Sequence, residues 1–146
     1  VAESIGKRGK GIFPVISSMP KDNHSLMQLY LDGPKNSFYT FFFSKENFSK
    51  RIINKKILDT HKYLKGKNLS EIKYSQYLAT INVFKDKNIP YRSFEISRKN
   101  EETLGELFIF FMLETILLGK VMDLNPYDQP AVELIKSNTK KILIKS

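Results

Sequence analysis

Short strand-like and long helix-like segments alternate in the middle of the chain, and this alternation constrains the fold more than any other feature. Ser37–Phe43 is short and rich in aromatic residues, which is typical of a buried strand. Leu69–Lys87 has apolar residues at helical spacing, and Asn88 and Pro90 are expected to end that helix. Tyr91–Ile96 alternates loosely and predicts a second strand. Strands that alternate with helices favour a parallel or mixed sheet covered by helices, so we expect an α/β fold.

An earlier helix is expected from His24 to about Leu31, because this segment supplies an apolar surface. Asp22 or Asn23 is the candidate N-cap residue, since short polar side chains satisfy the first free amides of a helix. Gly33 and Pro34 are the expected stop. Glycine tolerates the left-handed conformation that follows many helices, and proline does not continue one.

The remaining segments have less distinct patterns. Residues 1–20 contain three glycines and two prolines and are expected to form a loop. Lys50–Leu58 could form a weak strand or a short helix. A helix is expected from Glu101 to about Met122, and its centre is apolar on every side, which predicts that it is buried. Gln129–Leu143 is expected to be the final helix.

Composition excludes several kinds of site. The chain has no cysteine, so disulfides, thiolate zinc sites, iron–sulfur clusters and thiol nucleophiles are excluded. It has two histidines, too few for an all-histidine metal site, which leaves carboxylates as the other possible metal ligands. The longest apolar run, Leu107–Leu113, is much shorter than the ~20 residues of a membrane span. We expect no signal peptide, and the opening at Val1 is expected of an internal stretch of a longer protein.

The formal net charge is +9, and residues 45–100 contain fourteen of the basic side chains against five acidic ones. A nucleic-acid-binding domain is therefore one alternative, and its affinity would fall steeply with salt. However, twenty of the 24 basic residues are lysines, whereas nucleic-acid readers favour arginine at base edges and phosphates. No nucleic-acid-binding motif is present, so a solvated lysine-rich surface is the expected explanation.

Three motifs in order carry a family resemblance that spans nearly the whole chain. Glu3–Lys7, with the sequence Glu-Ser-Ile-Gly-Lys, resembles the Glu-Ser-x-Gly-Lys motif of glucose-6-phosphate isomerases. His24–Pro34 resembles the histidine-bearing helix of bacterial members, and Asn125–Lys136 is similar to the family's C-terminal signature. The resemblance implies a sugar-isomerase (SIS) type of fold. It also implies that residues 1–146 are the C-terminal part of an isomerase catalytic domain, lacking the family's phosphate-binding loop and an arginine that stabilises the intermediate.

The resemblance implies an enzyme of glycolysis and gluconeogenesis that interconverts glucose 6-phosphate and fructose 6-phosphate through a cis-enediol. It assigns the proton transfer between adjacent carbons to Glu3, a role that suits a carboxylate. It assigns ring opening to His24, since an imidazole titrates near neutrality, with Lys136 assisting. Gln129 matches a substrate-contacting glutamine. The resemblance further implies a cytoplasmic homodimer that binds a sugar phosphate, without nucleic acid, membrane, metal or cofactor.

A second alternative is a non-catalytic module of the same fold that binds a sugar phosphate, because fold alone does not decide function. The joint presence of Glu3, His24 and Lys136 favours the enzyme. From the resemblance we also expect the fragment alone to be inactive, because it lacks the groups that would hold the substrate in a productive pose.

Overall fold

A computed structural model describes residues 1–44 and 59–145 of the chain. The chain divides into two compact units, the first made of Val1–Ile16 and Leu104–Ser146 and the second of Ser17–Thr103. A short 3₁₀ helix, Asp59–Leu64, is kinked at His61. The α-helices are α1 (Ala2–Ile5), α2 (Lys21–Ser25), α3 (Met27–Asp32), α4 (Leu69–Asp86), α5 (Glu101–Val121) and α6 (Pro130–Lys145).

The second unit contains a parallel pair of strands, β1 (Tyr39–Ser44) and β2 (Tyr91–Ile96). Tyr39 lies opposite Tyr91 and Ser44 lies opposite Ile96. Parallel strands need a long crossover connection, and α4 lies between the two strands in sequence. The predicted α/β class and parallel sheet are confirmed, and β2 has the predicted bounds.

Both ends of α4 follow the local sequence. Asn68 caps its start, because the Asn68 side chain accepts a hydrogen bond from the Glu71 amide at 2.8 Å and the Glu71 carboxylate accepts one from the Asn68 amide at 2.8 Å. At its other end Asn88 adopts a left-handed conformation with φ 52°, which asparagine tolerates well. The helix therefore ends at Asp86, one residue before the predicted end at Lys87.

Phe84 on α4 is the centre of an aromatic core in the second unit. Its side chain is completely buried, and its ring lies edge-on to Tyr39 at 5.0 Å and to Phe41 at 5.1 Å between ring centroids. Edge-to-face contacts of this kind are favourable beyond the area that they bury. Tyr39 and Phe41, which alternate along β1, thus pack the strand against α4.

The helix expected over His24–Leu31 forms as two short helices, α2 and α3, with Leu26 between them. The predicted capping was wrong, because α2 begins at Lys21 and no side chain caps its first turn. The Asp22 carboxylate instead accepts a hydrogen bond from the Ser18 amide at 2.6 Å. His24 consequently lies in the last turn of α2 rather than at a helix start.

Gly33 ends α3 as expected, but the expected left-handed conformation was wrong. Its φ of −78° and ψ of −162° are open to other residues. The steric reason for glycine is different: a Cβ at this position would lie 2.4 Å from the Leu29 carbonyl oxygen. Glycine therefore allows a close approach of the chain to α3.

In the first unit, the expectation that residues 1–20 form only a loop was wrong, because Ala2–Ile5 is helical. Ile5 is completely buried, and this burial favours the ordered turn.

The expected burial of α5 was also wrong. Only Thr115 and Gly119 are buried among its residues, and much of its apolar surface is exposed. The exposed residues include Phe108, Ile109, Phe110, Met112, Leu113 and Leu117. A helix that is apolar all round needs neighbours on every side to bury it, and the described residues do not provide them.

The final helix, α6, runs one residue later at its start and two residues further at its end than expected. Whether residues 1–146 belong to one catalytic domain stays a prediction. The segment Lys50–Leu58 lies outside the described residues. In residues 1–44 and 59–145, no helix is both long enough and apolar enough to cross a membrane.

Candidate active site

Glu3 lies on the short helix α1 and is exposed to solvent. The helix forms through hydrogen bonds from the amides of Ile5 and Gly6 to the carbonyl oxygens of Val1 and Ala2, at 3.1 and 2.9 Å. Since Ile5 on the same turn is completely buried, the backbone that carries Glu3 is anchored at one side. The Glu3 carboxylate is thus accessible from solvent.

A tight turn follows α1. The backbones of Lys7 and Lys10 form a two-way hydrogen-bonded bridge, with N···O distances of 3.0 and 2.8 Å. Arg8 and Gly9 between them have φ values of 54° and 73°, the pair of positive angles that a type I′ turn requires. This geometry places both lysine side chains at the base of one turn.

Both lysines donate hydrogen bonds to the loop between α5 and α6. The Lys7 ammonium contacts the carbonyl oxygen of Asn125 and the carboxylate of Asp128. The Lys10 ammonium donates to the Met122 carbonyl oxygen at 2.9 Å. The turn after α1 is therefore joined to this loop at three points, across more than 110 residues of sequence.

The contact between Lys7 and Asp128 is asymmetric in its exposure to water. The Lys7 side chain is 10% exposed, whereas that of Asp128 is 55% exposed. The hydrogen bond from Lys7 lowers the pKa of the Asp128 carboxyl below its usual value. Lys7 is the less exposed partner, and its ammonium donates to two oxygen atoms of the loop.

The same loop leads directly into α6. The Gln129 carbonyl oxygen accepts the first helical hydrogen bonds, from the amides of Val132 at 3.1 Å and Glu133 at 3.2 Å. Lys136 lies one turn further along the helix. Its ammonium donates to the Glu133 carboxylate at 2.7 Å, and both side chains are about two thirds exposed. Gln129 and Lys136 belong to the same compact unit as Glu3.

His24 belongs to the second unit, where it occupies the last turn of α2. Beside it in sequence, the Asn23 side-chain oxygen is buried and has no hydrogen-bond partner among the residues that the structure describes. A buried polar atom without a partner carries a free-energy cost, and such atoms occur at sites where another molecule or segment completes the hydrogen bonding. Asn23 is thus a candidate site residue that the sequence pattern did not indicate.

Comparison with known proteins gives a consistent result, although no family model matches the chain. It is 39% identical over 132 residues to a probable glucose-6-phosphate isomerase of Methanococcus maripaludis, a match that covers 90% of this chain and 30% of that protein. It is 38% identical over 146 residues to a glucose-6-phosphate isomerase of Mycoplasmopsis pulmonis, covering 98% of this chain and 34% of that one. A third relative, from Mycoplasmopsis synoviae, is 40% identical over 94% of this chain.

The chain belongs to the glucose-6-phosphate isomerase family. It spans about a third of the length of the curated relatives that it matches. Among solved structures, a hypothetical protein from Thermus thermophilus matches with a TM-score of 0.85 and 28% identity. That match covers 97% of this chain and 36% of the other one. The similarity in structure therefore extends over nearly all of this chain, as the similarity in sequence does.

Three of the four predicted site residues, Glu3, Gln129 and Lys136, lie in the first unit, and His24 lies in the second. Sequence reasoning missed Lys7 as a contributor, although it stands inside the quoted Glu-Ser-x-Gly-Lys motif. The signal was present in that motif, but its partners lie 118 and 121 residues further along the chain. Within the described ranges, no three histidine, aspartate or glutamate residues form a group that could hold a metal ion.

Proposed function

We propose that the chain contributes catalytic residues to the isomerisation of glucose 6-phosphate and fructose 6-phosphate. The observation that carries this proposal is the 37–40% identity to several glucose-6-phosphate isomerases over at least nine tenths of the chain. The exposure of the Glu3 carboxylate on an anchored turn supports it further, because a proton-transferring group must reach the substrate.

In the proposed reaction, Glu3 removes the proton from carbon 2 of the open-chain aldose while the carbonyl oxygen on carbon 1 takes up a proton from water, and a cis-enediol forms. Glu3 then returns its proton to carbon 1 while the hydroxyl on carbon 2 releases its proton to water, which yields the ketose and regenerates the carboxylate. One carboxylate suits both steps, since it accepts and donates a proton without changing position. In the first motif, Glu3–Lys7, Glu3 is the residue that carries a carboxylate, and its side chain is exposed.

Ring opening precedes the isomerisation, and we assign it to His24 with assistance from Lys136. It requires a proton to leave the anomeric hydroxyl and another to reach the ring oxygen. The Lys136 ammonium is a hydrogen-bond donor on an exposed surface, where its present partner is Glu133. In a complex with a sugar phosphate we expect Lys136 to lie within hydrogen-bond distance of the ring oxygen or its hydroxyl. Gln129 is proposed to contact the substrate.

The working enzyme is proposed to contain the rest of the isomerase polypeptide as well. The relatives are about three times as long as this chain, and α5 exposes apolar residues such as Phe108 and Met112. Burial of such residues is favourable by roughly 25 cal/mol per Å² of apolar surface. We propose that the complete enzyme is a cytoplasmic homodimer that acts in glycolysis and gluconeogenesis.

The test is the substitution Glu3→Gln in the complete isomerase polypeptide, with Glu101→Gln as the matched control. Glutamine has nearly the same shape as glutamate but does not accept the proton. We expect Glu3→Gln to abolish exchange of the carbon 2 proton with solvent while substrate binding remains close to that of the wild type. Glu101→Gln changes an exposed carboxylate in the first turn of α5 and should retain full turnover.

Normal isomerase turnover in Glu3→Gln would refute the assignment of the base. Binding of fructose 6-phosphate by the wild-type complete protein without any turnover would instead favour the alternative function, a non-catalytic module that binds a sugar phosphate.

A further inference from the structure

The loop between α5 and α6 packs against α5 and is joined to the turn after α1 by hydrogen bonds from Lys7 and Lys10. Its residue Leu124 is buried, and the Leu124 carbonyl oxygen and Pro126 ring lie so close to α5 that a Cβ at Gly119 would approach them to 3.2 Å. The Asn125 side chain accepts a hydrogen bond from the Tyr127 amide at 3.1 Å, which closes the turn. The loop is therefore packed against α5 and has a defined shape at the point where Lys7 reaches it.

Lys7 joins two segments that carry proposed active-site residues. It follows Glu3 by four positions, directly after the short helix α1. Its ammonium contacts Asn125 and Asp128, and Asp128 directly precedes Gln129 at the start of α6. From this connection we infer that Lys7 is a positioning residue, which sets Glu3 relative to Gln129 and Lys136. This inference rests on the proposed function.

The low exposure of the Lys7 side chain distinguishes this contact from a fully exposed ion pair. Exposed pairs contribute little to stability, because water competes for both charges. The Lys7 side chain is only 10% exposed and its ammonium contacts two oxygen atoms, so water replaces these partners less readily than at an exposed lysine. Lys136 and Glu133 on α6 offer the contrast, since each is about two thirds exposed.

The expected consequence is a loss in the rate of the chemical step. A displacement of about 1 Å between a base and the reacting carbon can lower the rate on the order of a hundredfold. Because Lys7 is not proposed to contact the substrate, its loss should affect kcat more than KM. The fold itself has other anchors in this unit, among them buried Ile5 and Leu124.

The kinetic test compares Lys7→Met, Lys7→Arg and Lys140→Met in the complete isomerase polypeptide, with kcat normalised to the fraction of folded protein. We expect Lys7→Met to lower kcat roughly tenfold to a hundredfold with KM changed less than about threefold. Arginine retains a charged donor and should restore part of the loss. Lys140→Met removes an exposed lysine of α6 and should leave both constants unchanged.

A spectroscopic measurement tests the contact independently of activity. In carboxyl NMR titrations the pKa of Asp128 should rise in Lys7→Met and stay lowered in Lys140→Met. An unchanged titration in Lys7→Met would overturn the contact and the inference with it. If the total activity of Lys7→Met falls only as much as its folded fraction, so that the normalised kcat equals that of the wild type, Lys7 has only a structural role.

The two proposals fail in different ways. If the wild-type complete polypeptide shows no isomerase activity, the proposed function is wrong, and the positioning role falls with it even if the titration supports the contact. If the wild type is active and Lys7→Met is equally active, the positioning role is wrong and the proposed function stands.

Discussion

Replacement of Phe84 by alanine tests whether the aromatic core accounts for the stability of the second unit. Phe84 is completely buried, and removing a buried phenylalanine side chain typically costs about 3–5 kcal/mol. Three edge-to-face contacts, with Tyr39, Phe41 and Tyr91, are lost at the same time, and each is typically favourable by about 0.5–1.5 kcal/mol. Because the two estimates overlap, we expect a loss of about 4 kcal/mol in the free energy of unfolding.

The matched control is Phe42→Ala, the same substitution at an exposed position of β1. Phe42 is 52% exposed and stacks on Phe94 at a centroid distance of 5.4 Å. About half of the Phe42 side chain is already exposed in the folded protein, so we expect Phe42→Ala to lower the free energy of unfolding by about 1–2 kcal/mol. The difference between the two variants isolates the contribution of the buried position, since both remove the same atoms.

The assay is urea-induced unfolding followed by far-UV circular dichroism and tyrosine fluorescence, at one pH and salt concentration. Natural domains are stable by about 5–15 kcal/mol, so Phe84→Ala should lose a large part of the total. If it shows no folded baseline, Phe84→Leu gives the measurement, because leucine fills part of the space but makes no ring contacts. Equal losses for Phe84→Ala and Phe42→Ala would refute the proposed role of the core.

Three further predictions concern activity, capping and pH. The purified 146-residue chain should form no glucose 6-phosphate from fructose 6-phosphate, and robust turnover would show that the rest of the polypeptide is dispensable. Asn68→Ala should lower the free energy of unfolding by about 1 kcal/mol through loss of the cap, with Asn68→Ser close to wild type; equal losses would contradict this. Lys87→Met should raise the Asp32 pKa, which the hydrogen bond from Lys87 lowers. The stabilisation by the Lys87–Asp32 pair is present above the unfolded pKa of aspartate and is lost as pH falls through the folded pKa. An Asp32 titration in NMR that is unchanged in Lys87→Met would contradict the prediction.

The sequence predicted the regular elements of the second unit because their signals are local. The period of apolar residues and the flanking Asn88 and Pro90 were enough to locate α4, and the alternation over Tyr91–Ile96 gave β2 its bounds. The prediction for His24–Leu31 failed in detail, because a weak apolar pattern does not reveal a break at Leu26.

The candidate site was predictable only as a set of residues. The motifs indicated Glu3, His24, Gln129 and Lys136, and the three-residue spacing of Glu133 and Lys136 places them on one helix face. No pattern indicated that the Lys7 side chain is only 10% exposed. The roles of these four residues stay predictions.

The sequence by itself determined the local elements and the family, since caps, turns and apolar periods depend on residues a few positions apart and the motifs are contiguous. Only the tertiary structure decided that Lys7 contacts Asn125 and Asp128, and that the apolar surface of α5 stays exposed. The physical reason is that burial and long-range contacts depend on which segments the chain path brings together. The sequence of an apolar helix indicates that its burial is favourable, but it does not indicate whether other segments of the chain cover the helix.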